Sequence, residues 1–295
     1  MKRELSILIP IYNDCCTLLV EQLHRQALAV GDFHFEIIVA EDGSKLEGPL
    51  AANKAITALP YCRHIIRGVN VGRAAIRNFL AQQARYEWLL FIDGDMSVVN
   101  NEFLLNYLRT DASEVVYGGY RVGEGDRSNL RYRYEKASEP FHTAEQRRQK
   151  PYRDFHTSNF LIHRDLMLAH PFDERFRRYG YEDVLFGKHL RQAGVSIFHI
   201  DNPVGFDTFE DNATFVEKTE EGLRTLHDFR DDLRGYNGLL TFVSGIHVPL
   251  VKWLFRLFHL VFASLERRKL CGRRPSLFVF KLYKLGYYLT LTKND

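Results

Sequence analysis

The sequence predicts an α/β protein with a mostly parallel central sheet, followed by a helical, amphipathic C-terminal segment. Three observations carry that expectation. Short runs of Ile, Leu, Val and Phe alternate with stretches of helical apolar spacing at about 30 residues per unit, the pattern of successive βαβ crossovers. Each run ends in polar residues, so carboxylates and amides gather at the carboxyl edge of the sheet, where open α/β sheets form their crevice. From residue 239 the composition changes to Leu, Val and Phe interrupted by a sparse polar stripe.

In chain order, residues 5–10 (LSILIP) form a buried first strand that Pro10 ends. Ile11-Tyr12-Asn13-Asp14 is a loop, and residues 15–30 carry helical spacing through Leu18, Leu19, Leu23, Ala27 and Leu28. Residues 35–40 (FEIIVA) are a second strand closed by Glu41-Asp42-Gly43-Ser44. A helix over 49–59 leads to a third strand at 62–67, and a helix over 73–84 opens at Gly72. The five apolar residues 88–92 (WLLFI) are too few for a helix and read as a strand buried on both faces.

That strand runs into Asp93-Gly94-Asp95. The glycine lets the backbone turn tightly and aims both carboxylates at one point, which suits a hard divalent cation bound through oxygen. Taken alone, Asp-Gly-Asp suits a hairpin turn equally well.

With 295 residues and 45% hydrophobic composition the chain is globular. Its net charge of +3 hides an asymmetry: from Lys252 onward ten Lys/Arg face two acids, a net of +8, which leaves −5 for the rest. The basic character belongs to the tail, and no nucleic-acid partner is expected. Cys15, Cys16, Cys62 and Cys271 have neither metal-ligand spacing nor the look of a disulfide framework, as expected in a reducing compartment. The opening Met1-Lys2-Arg3-Glu4 leads straight into a strand, so no export signal is expected and cytoplasm is the default.

Several of these segments, in order, resemble the inverting family 2 glycosyltransferases of GT-A fold. Pro10-Ile11-Tyr12-Asn13 is similar to a Pro-x-Tyr-Asn opening, and Glu41-Asp42-Gly43-Ser44 to Asp-Asp-Gly-Ser. Asn70-Val71-Gly72 with Ala75-Ile76-Arg77-Asn78 resembles Asn-x-Gly followed by Ala-x-Arg-Asn. Asp93-Gly94-Asp95 looks like the metal motif. Phe172-Asp173-Glu174 and Gly180-Tyr181-Glu182-Asp183 resemble the acceptor-side segments. The resemblance spans about residues 5–225. It implies that Pro10, Tyr12 and Asp42 meet the donor base, most simply uracil, by stacking and by accepting from its N3–H. Arg73 and Arg77, one turn apart, would reach the diphosphate. Asp93 would bind ribose or Mn²⁺/Mg²⁺, and Asp95 the metal, a Lewis acid for the departing nucleoside diphosphate.

Beyond Met96 a helix over 100–108 and a strand over 114–120 precede a polar stretch, 121–151, with Arg131, Arg133, Lys136, Arg147, Arg148 and Lys150. A short helix is expected there, its cations either solvated or near phosphate. Residues 155–163 return to the sheet, and by analogy Ser158 and Asn159 contact acceptor and donor sugar. Asp183 is the expected base for the acceptor hydroxyl, with Glu182 hydrogen-bonding the acceptor and a helix over 184–193 behind them. Without the resemblance, Glu-Asp before an apolar helix reads as a cap. After the strand 195–200 the resemblance asks for a third metal ligand and finds no His near Phe206, leaving His199 or Asp207. A helix capped by Asn212 closes a catalytic domain over residues 1–235.

The C-terminal segment, 236–295, carries Thr241, Ser244, His247, Lys252, Arg256 and His259 at near-helical spacing on an apolar background broken by Pro249. Fixed charges near its middle disfavour a spanning helix and suit one lying in an anionic membrane interface. Packing on the catalytic domain, or on a second subunit in a homo-oligomer, is the alternative. The expectation is thus a metal-dependent inverting hexosyl- or N-acetylhexosaminyltransferase. It would use a nucleotide diphosphate sugar, a glycan or lipid-linked acceptor and the inner face of the membrane, in surface polysaccharide synthesis. A nucleotidyltransferase would want a Gly-rich basic loop after the first strand, which is missing. A silent glycan- or membrane-binding relative would not need Asp93, Asp95, Glu182 and Asp183.

Overall fold

A computed structural model describes residues 1–111 and 114–292. Lys293 and Asp295, counted in the basic tail, lie outside the described residues. The first half follows the predicted alternation: β1 (Glu4–Ile11), α1 (Thr17–Ala29), β2 (His34–Asp42), α2 (Glu47–Asn53), β3 (Cys62–Arg67), α3 (Arg73–Gln83) and β4 (Trp88–Ile92). Then come β5 (Ser97–Val98), α4 (Phe103–Arg109), β6 (Val115–Tyr117), β7 (Tyr120–Val122), α5 (Leu130–Ser138), α6 (Ala144–Gln149), β8 (Asn159–His163) and α7 (Arg164–Ala169). The chain ends with α8 (Glu182–Gln192), β9 (Ile197–His199), β10 (Val204–Phe206), α9 (Asn212–Asp228), α10 (Gly238–Gly245), α11 (Pro249–Cys271) and α12 (Leu277–Leu291).

The main sheet has the order β3-β2-β1-β4-β8-β6-β9. β1, β2, β3 and β4 pair in parallel, as do β6 and β9, whereas β8 runs antiparallel to both its neighbours. The order reverses beside β1 and β4, so the crevice opens where those strands end. Strand residues alternate between two cores. Leu8, Ile38, Leu89 and Phe91 face the layer of α3, α7, α8 and α9, while Ile7, Ile9, Val39, Leu90 and Ile92 face α1 and α4. Burial on both faces is why these strands read as continuous apolar runs rather than alternating ones.

The strand expected over 114–120 divides at Gly118-Gly119: β6 stays in the main sheet, and β7 joins a small sheet of order β5-β10-β7. The helix expected from residue 184 starts at Glu182, which places both acids in its first turn. Asp211, not Asn212, caps α9, accepting from the Ala213 and Thr214 amides; the Asn212 side chain instead accepts from Leu130 N and ties α9 to α5. Pro249 does not interrupt a helix but begins α11, where a missing N–H is harmless.

The boundary expected at residue 235 falls between α9 and α10. Beyond it, Leu240 and Tyr288 join the core on the α3–α8 side, and Leu270, Phe280 and Tyr283 pack with Phe215 and Leu130. α11 is turned inside out. Its face against α12 holds a buried His259–Glu266 pair at 2.7 Å, while Leu250, Trp253, Leu254, Phe258, Val261 and Leu265 are exposed. The two helices meet so closely that a Cβ on Gly286 would run into His259. No helix among the described residues is long and apolar enough to cross a membrane.

Candidate active site

The ends of β1, β2 and β4 and the start of α3 surround a cavity of about 370 Å³, lined by Pro10, Tyr12, Asp42, Arg73, Arg77, Asp93 and Asp95 among others. The residues expected to meet the donor nucleotide, Pro10, Tyr12, Asp42, Arg73, Arg77 and Asp93, therefore line one cavity. Asp42 is buried, and its two oxygens accept from the amides of Val71 (2.8 Å) and Gly72 (3.0 Å), so it pins the turn ahead of α3 and keeps a lone pair on each oxygen. Burial outweighs those bonds and raises its carboxyl above the usual range. Tyr12 is 52% exposed, its ring free to stack. Beside Asp42, Glu41 points away into a buried network with Ser44, Asn53 and His64.

Gly94 serves a different purpose from the turn expected of it. Its φ is not positive; a Cβ there would strike the Ile11 side chain and approach Pro10 O at 3.1 Å, so glycine lets the end of β4 lie against the end of β1.

Arg77 departs from its expected role. It is 1% exposed, pairs with Asp93 at 2.5 Å and Glu182 at 3.5 Å, and donates to Arg73 O. Two of the three guanidinium nitrogens are thus spent holding the two carboxylate elements together, and only the buried Nε is left without a partner among the described residues. Arg73 is exposed, stacked over Tyr179 at 4.9 Å, and faces the cleft, which Arg177, Arg178 and Lys218 also line. Glu182 is buried against Arg77 and also lines the cavity beside Asp183. Burial and the charge of Asp183 push its carboxyl up.

Asp95 is exposed and makes no hydrogen bond or ion pair with another side chain among the described residues. Desolvation in the cleft and the neighbouring Asp93 raise its carboxyl. Two close carboxylates, one uncompensated, form the oxygen set a hard divalent cation relieves. No third His, Cys, Asp or Glu joins them among the described residues. His199 is excluded: it is 3% exposed, its Nδ1 accepts from Arg147 Nε (3.2 Å), its Nε2 donates to Pro151 O (2.9 Å), and burial lowers it to about 4. Asp207 accepts from the Ser97 hydroxyl in the small sheet and lines neither cavity. Arg147, expected near solvent or phosphate, is buried and clamps Gly118 O and Ile200 O.

A second cavity, about 430 Å³, adjoins the first and shares Arg73, Asp93, Asp95, Tyr179 and Lys218 with it. Asp183 lines it. Its Oδ2 accepts from His156 Nδ1 at 3.0 Å and its Oδ1 from the Val184 amide at 2.8 Å. Burial alone would raise this carboxyl; the His156 hydrogen bond and charge reverse that and hold it low, while Asp183 in turn raises His156. The helix carrying Asp183 is preceded by Tyr181, a non-glycine residue at φ 70°, a conformation costing about 1–3 kcal/mol. Ser158 lines this cavity, but Asn159 does not: it is fully buried, and its amide donates to Asn202 O at 3.2 Å. His156, Tyr179, Arg131 and Lys284, also in the wall, had no motif to announce them.

Comparisons with known proteins place the family and the fold. The family described as Glycosyl transferase family 2 matches residues 6–169. Among solved structures, S. aureus TarS 1-349 in complex with UDP-GlcNAc is similar over all of this chain and 91% of that one, at 18% identity and TM-score 0.52. The mannosyltransferase PcManGT from Pyrobaculum calidifontis, in complex with GDP-Man and Mn2+, is similar over all of this chain and 82% of that one, at 16% identity and TM-score 0.55. These two likenesses bear out the expected GT-A architecture. No curated protein matches the sequence. Because the family match spans more than half of the chain, through β1, β2, β4 and the carboxylates at their ends, the chain belongs to glycosyl transferase family 2.

Proposed function

We propose that this glycosyltransferase is inverting, uses a nucleotide diphosphate sugar with a divalent cation, and transfers a hexosyl or N-acetylhexosaminyl group to a glycan or lipid-linked acceptor in surface polysaccharide synthesis. One observation carries the reading: the cavity holding Asp183 meets the donor cavity at Arg73, Asp93 and Asp95, so an acceptor hydroxyl and a diphosphate linkage can occupy adjoining spaces. Asp183, kept ionised by His156, takes the hydroxyl proton as the acceptor oxygen bonds to the anomeric carbon. The bond from that carbon to the diphosphate breaks on the opposite face, which gives inversion. Arg73 meets the charge that develops on the leaving group. Asp95, with the free oxygen of Asp93, would hold Mn²⁺ or Mg²⁺, which supplies Lewis-acid neutralisation of a diphosphate.

A uridine donor follows from Tyr12 stacking and the spare lone pairs of Asp42, although the similar structures carry both UDP-GlcNAc and GDP-Man. Screening nucleotide sugars for metal-dependent thermal stabilisation and slow hydrolysis tests the reading without knowledge of the acceptor. Stabilisation by a UDP-sugar with Mn²⁺ is the expected result; indifference to every nucleotide sugar overturns it.

The inside-out α11 supports a peripheral position on an anionic, cytoplasmic-face membrane. Full burial of each exposed Leu, Phe or Trp would contribute up to about 1.5–3 kcal/mol, and Arg268 and Lys269 in the last turn of α11 with Arg273 and Arg274 just beyond add positive charge, whereas Arg267 is paired with Glu217 and Glu220. The full chain should sediment with anionic vesicles more than with neutral ones, and salt should weaken the binding only in part. A chain that ignores vesicles at low salt and instead self-associates would assign this face to a homo-oligomer.

A further inference from the structure

The cavity around Asp183 is not closed by the family-matched region alone. Phe280 and Lys284, one turn apart on α12, form part of its wall. The helix that carries them is fixed from behind. Tyr283 and Tyr287 hydrogen-bond to Glu220 and Arg224 of α9, and Phe280, 1% exposed, packs on Phe215 with ring centroids 5.3 Å apart. The ammonium of Lys284 lies 4.8 Å from the rings of both Tyr134 and Phe280.

The charged groups around Lys284 are matched. Arg131 pairs with Glu135 at 2.9 Å, Lys218 with Glu210 at 3.2 Å, and Asp183 with His156 at 3.0 Å. Glu182 and Asp93 pair with Arg77. On the donor side Arg73 and Asp95 are left for a diphosphate and its cation. On the other side Lys284 makes no ion pair among the described residues. A preorganised cation, resting on two aromatic rings and set among paired acids, Glu135, Asp183 and Glu210, with the unpaired Asp95 where this cavity joins the first, is complemented by an anion from outside.

We propose that α12 completes the acceptor site and that Lys284 binds an oxyanion, phosphate or carboxylate, carried by the acceptor saccharide. The inference rests on the glycosyl-transfer reading for naming this cavity the acceptor side, but its test does not depend on turnover.

Three probes that share the gluco-configured ring separate the possibilities: glucose 1-phosphate, methyl glucuronide and methyl glucoside, titrated into the full-length protein with UDP and Mg²⁺ present. At least one anionic probe should bind about tenfold or more tighter than the neutral one, the size of a charge-assisted contact. Whichever anion binds tighter identifies the source. Lys284→Met should erase the preference, Lys284→Arg should retain it, and UDP affinity should be the same in all three proteins, which also reports that they are folded. Three probes that bind alike, no saturable binding of either anionic probe, or a preference that survives in Lys284→Met overturns the proposal. Loss of UDP binding in the wild-type protein would instead fault the donor assignment.

Discussion

On the proposed donor side the wall comes mainly from the ends of β1, β2 and β4 and the first turn of α3, and the fold itself sets much of it: Asp42 is held by the backbone amides of Val71 and Gly72, and the bare backbone of Gly94 lies against Pro10, although Asp93 is held by the Arg77 side chain. The acceptor side is assembled from α5, α8, α9 and α12, far apart in sequence, and its polar side chains are held by one another, His156 to Asp183, Arg131 to Glu135 and Lys218 to Glu210. A site pinned to a sheet is hard to change without changing the fold. A site held by side-chain pairs can be altered one pair at a time, and acceptor specificity is free to vary on it.

The largest expected effect lies where the two sides meet. Asp95→Asn removes the uncompensated carboxylate, so turnover should be abolished and donor binding should no longer respond to Mn²⁺ or Mg²⁺. Full activity in excess chelator would remove the metal from the mechanism. Next, Asp183→Asn preserves shape and should reduce transfer by roughly 10² or more with donor affinity unchanged, since only proton removal is lost. A variant that no longer bound donor would move Asp183 to the other side of the comparison.

Arg77 tests whether the border between the sides is structural. Arg77→Leu strands Asp93 and buried Glu182 without their cation, and about 3–5 kcal/mol of stability should be lost in urea unfolding, the scale for breaking a buried pair. Unchanged stability with weakened nucleoside diphosphate binding would return Arg77 to the diphosphate.

The same division governs what the sequence revealed. β1 to β4 and the donor residues were legible because a buried parallel strand writes itself as an unbroken apolar run and delivers whatever follows it to the crevice. Residue type was legible there, but not commitment. Nothing in Arg73-Ala74-Ala75-Ile76-Arg77 says that the first arginine faces the cleft and the second is buried; that depends on Glu182, more than a hundred residues on. The acceptor wall was less legible still. The pairing of His156 with Asp183, the division of 114–120 at Gly118-Gly119, and the arrival of Lys284 beside Tyr134 are long-range facts without local periodicity. His199 misled for the converse reason: near the right place in sequence, it is held by Arg147 and Pro151 in the interior.

The smallest effect expected is the one that most sharpens the comparison, because it concerns a single pair on the acceptor side. His156 touches Asp183 and is not itself needed to accept the proton, so His156→Ala should cost only about tenfold, the worth of one charged hydrogen bond. Its signature should be in the pH profile. His156 holds the Asp183 carboxyl below its ordinary range against a burial that would raise it. With His156 gone the carboxyl rises and the base is protonated sooner as pH falls, so the acid limb of the kcat/KM profile should move to higher pH. His156→Asn keeps a donor near the position of Nδ1 and should recover much of the rate, though less of the shift, since the imidazolium charge is absent. An acid limb that stays in place in His156→Ala would mean that Asp183 owes its ionisation to Arg77 and the helix N-terminus, and that the acceptor side, like the donor side, is set by the fold and not by its side-chain pairs.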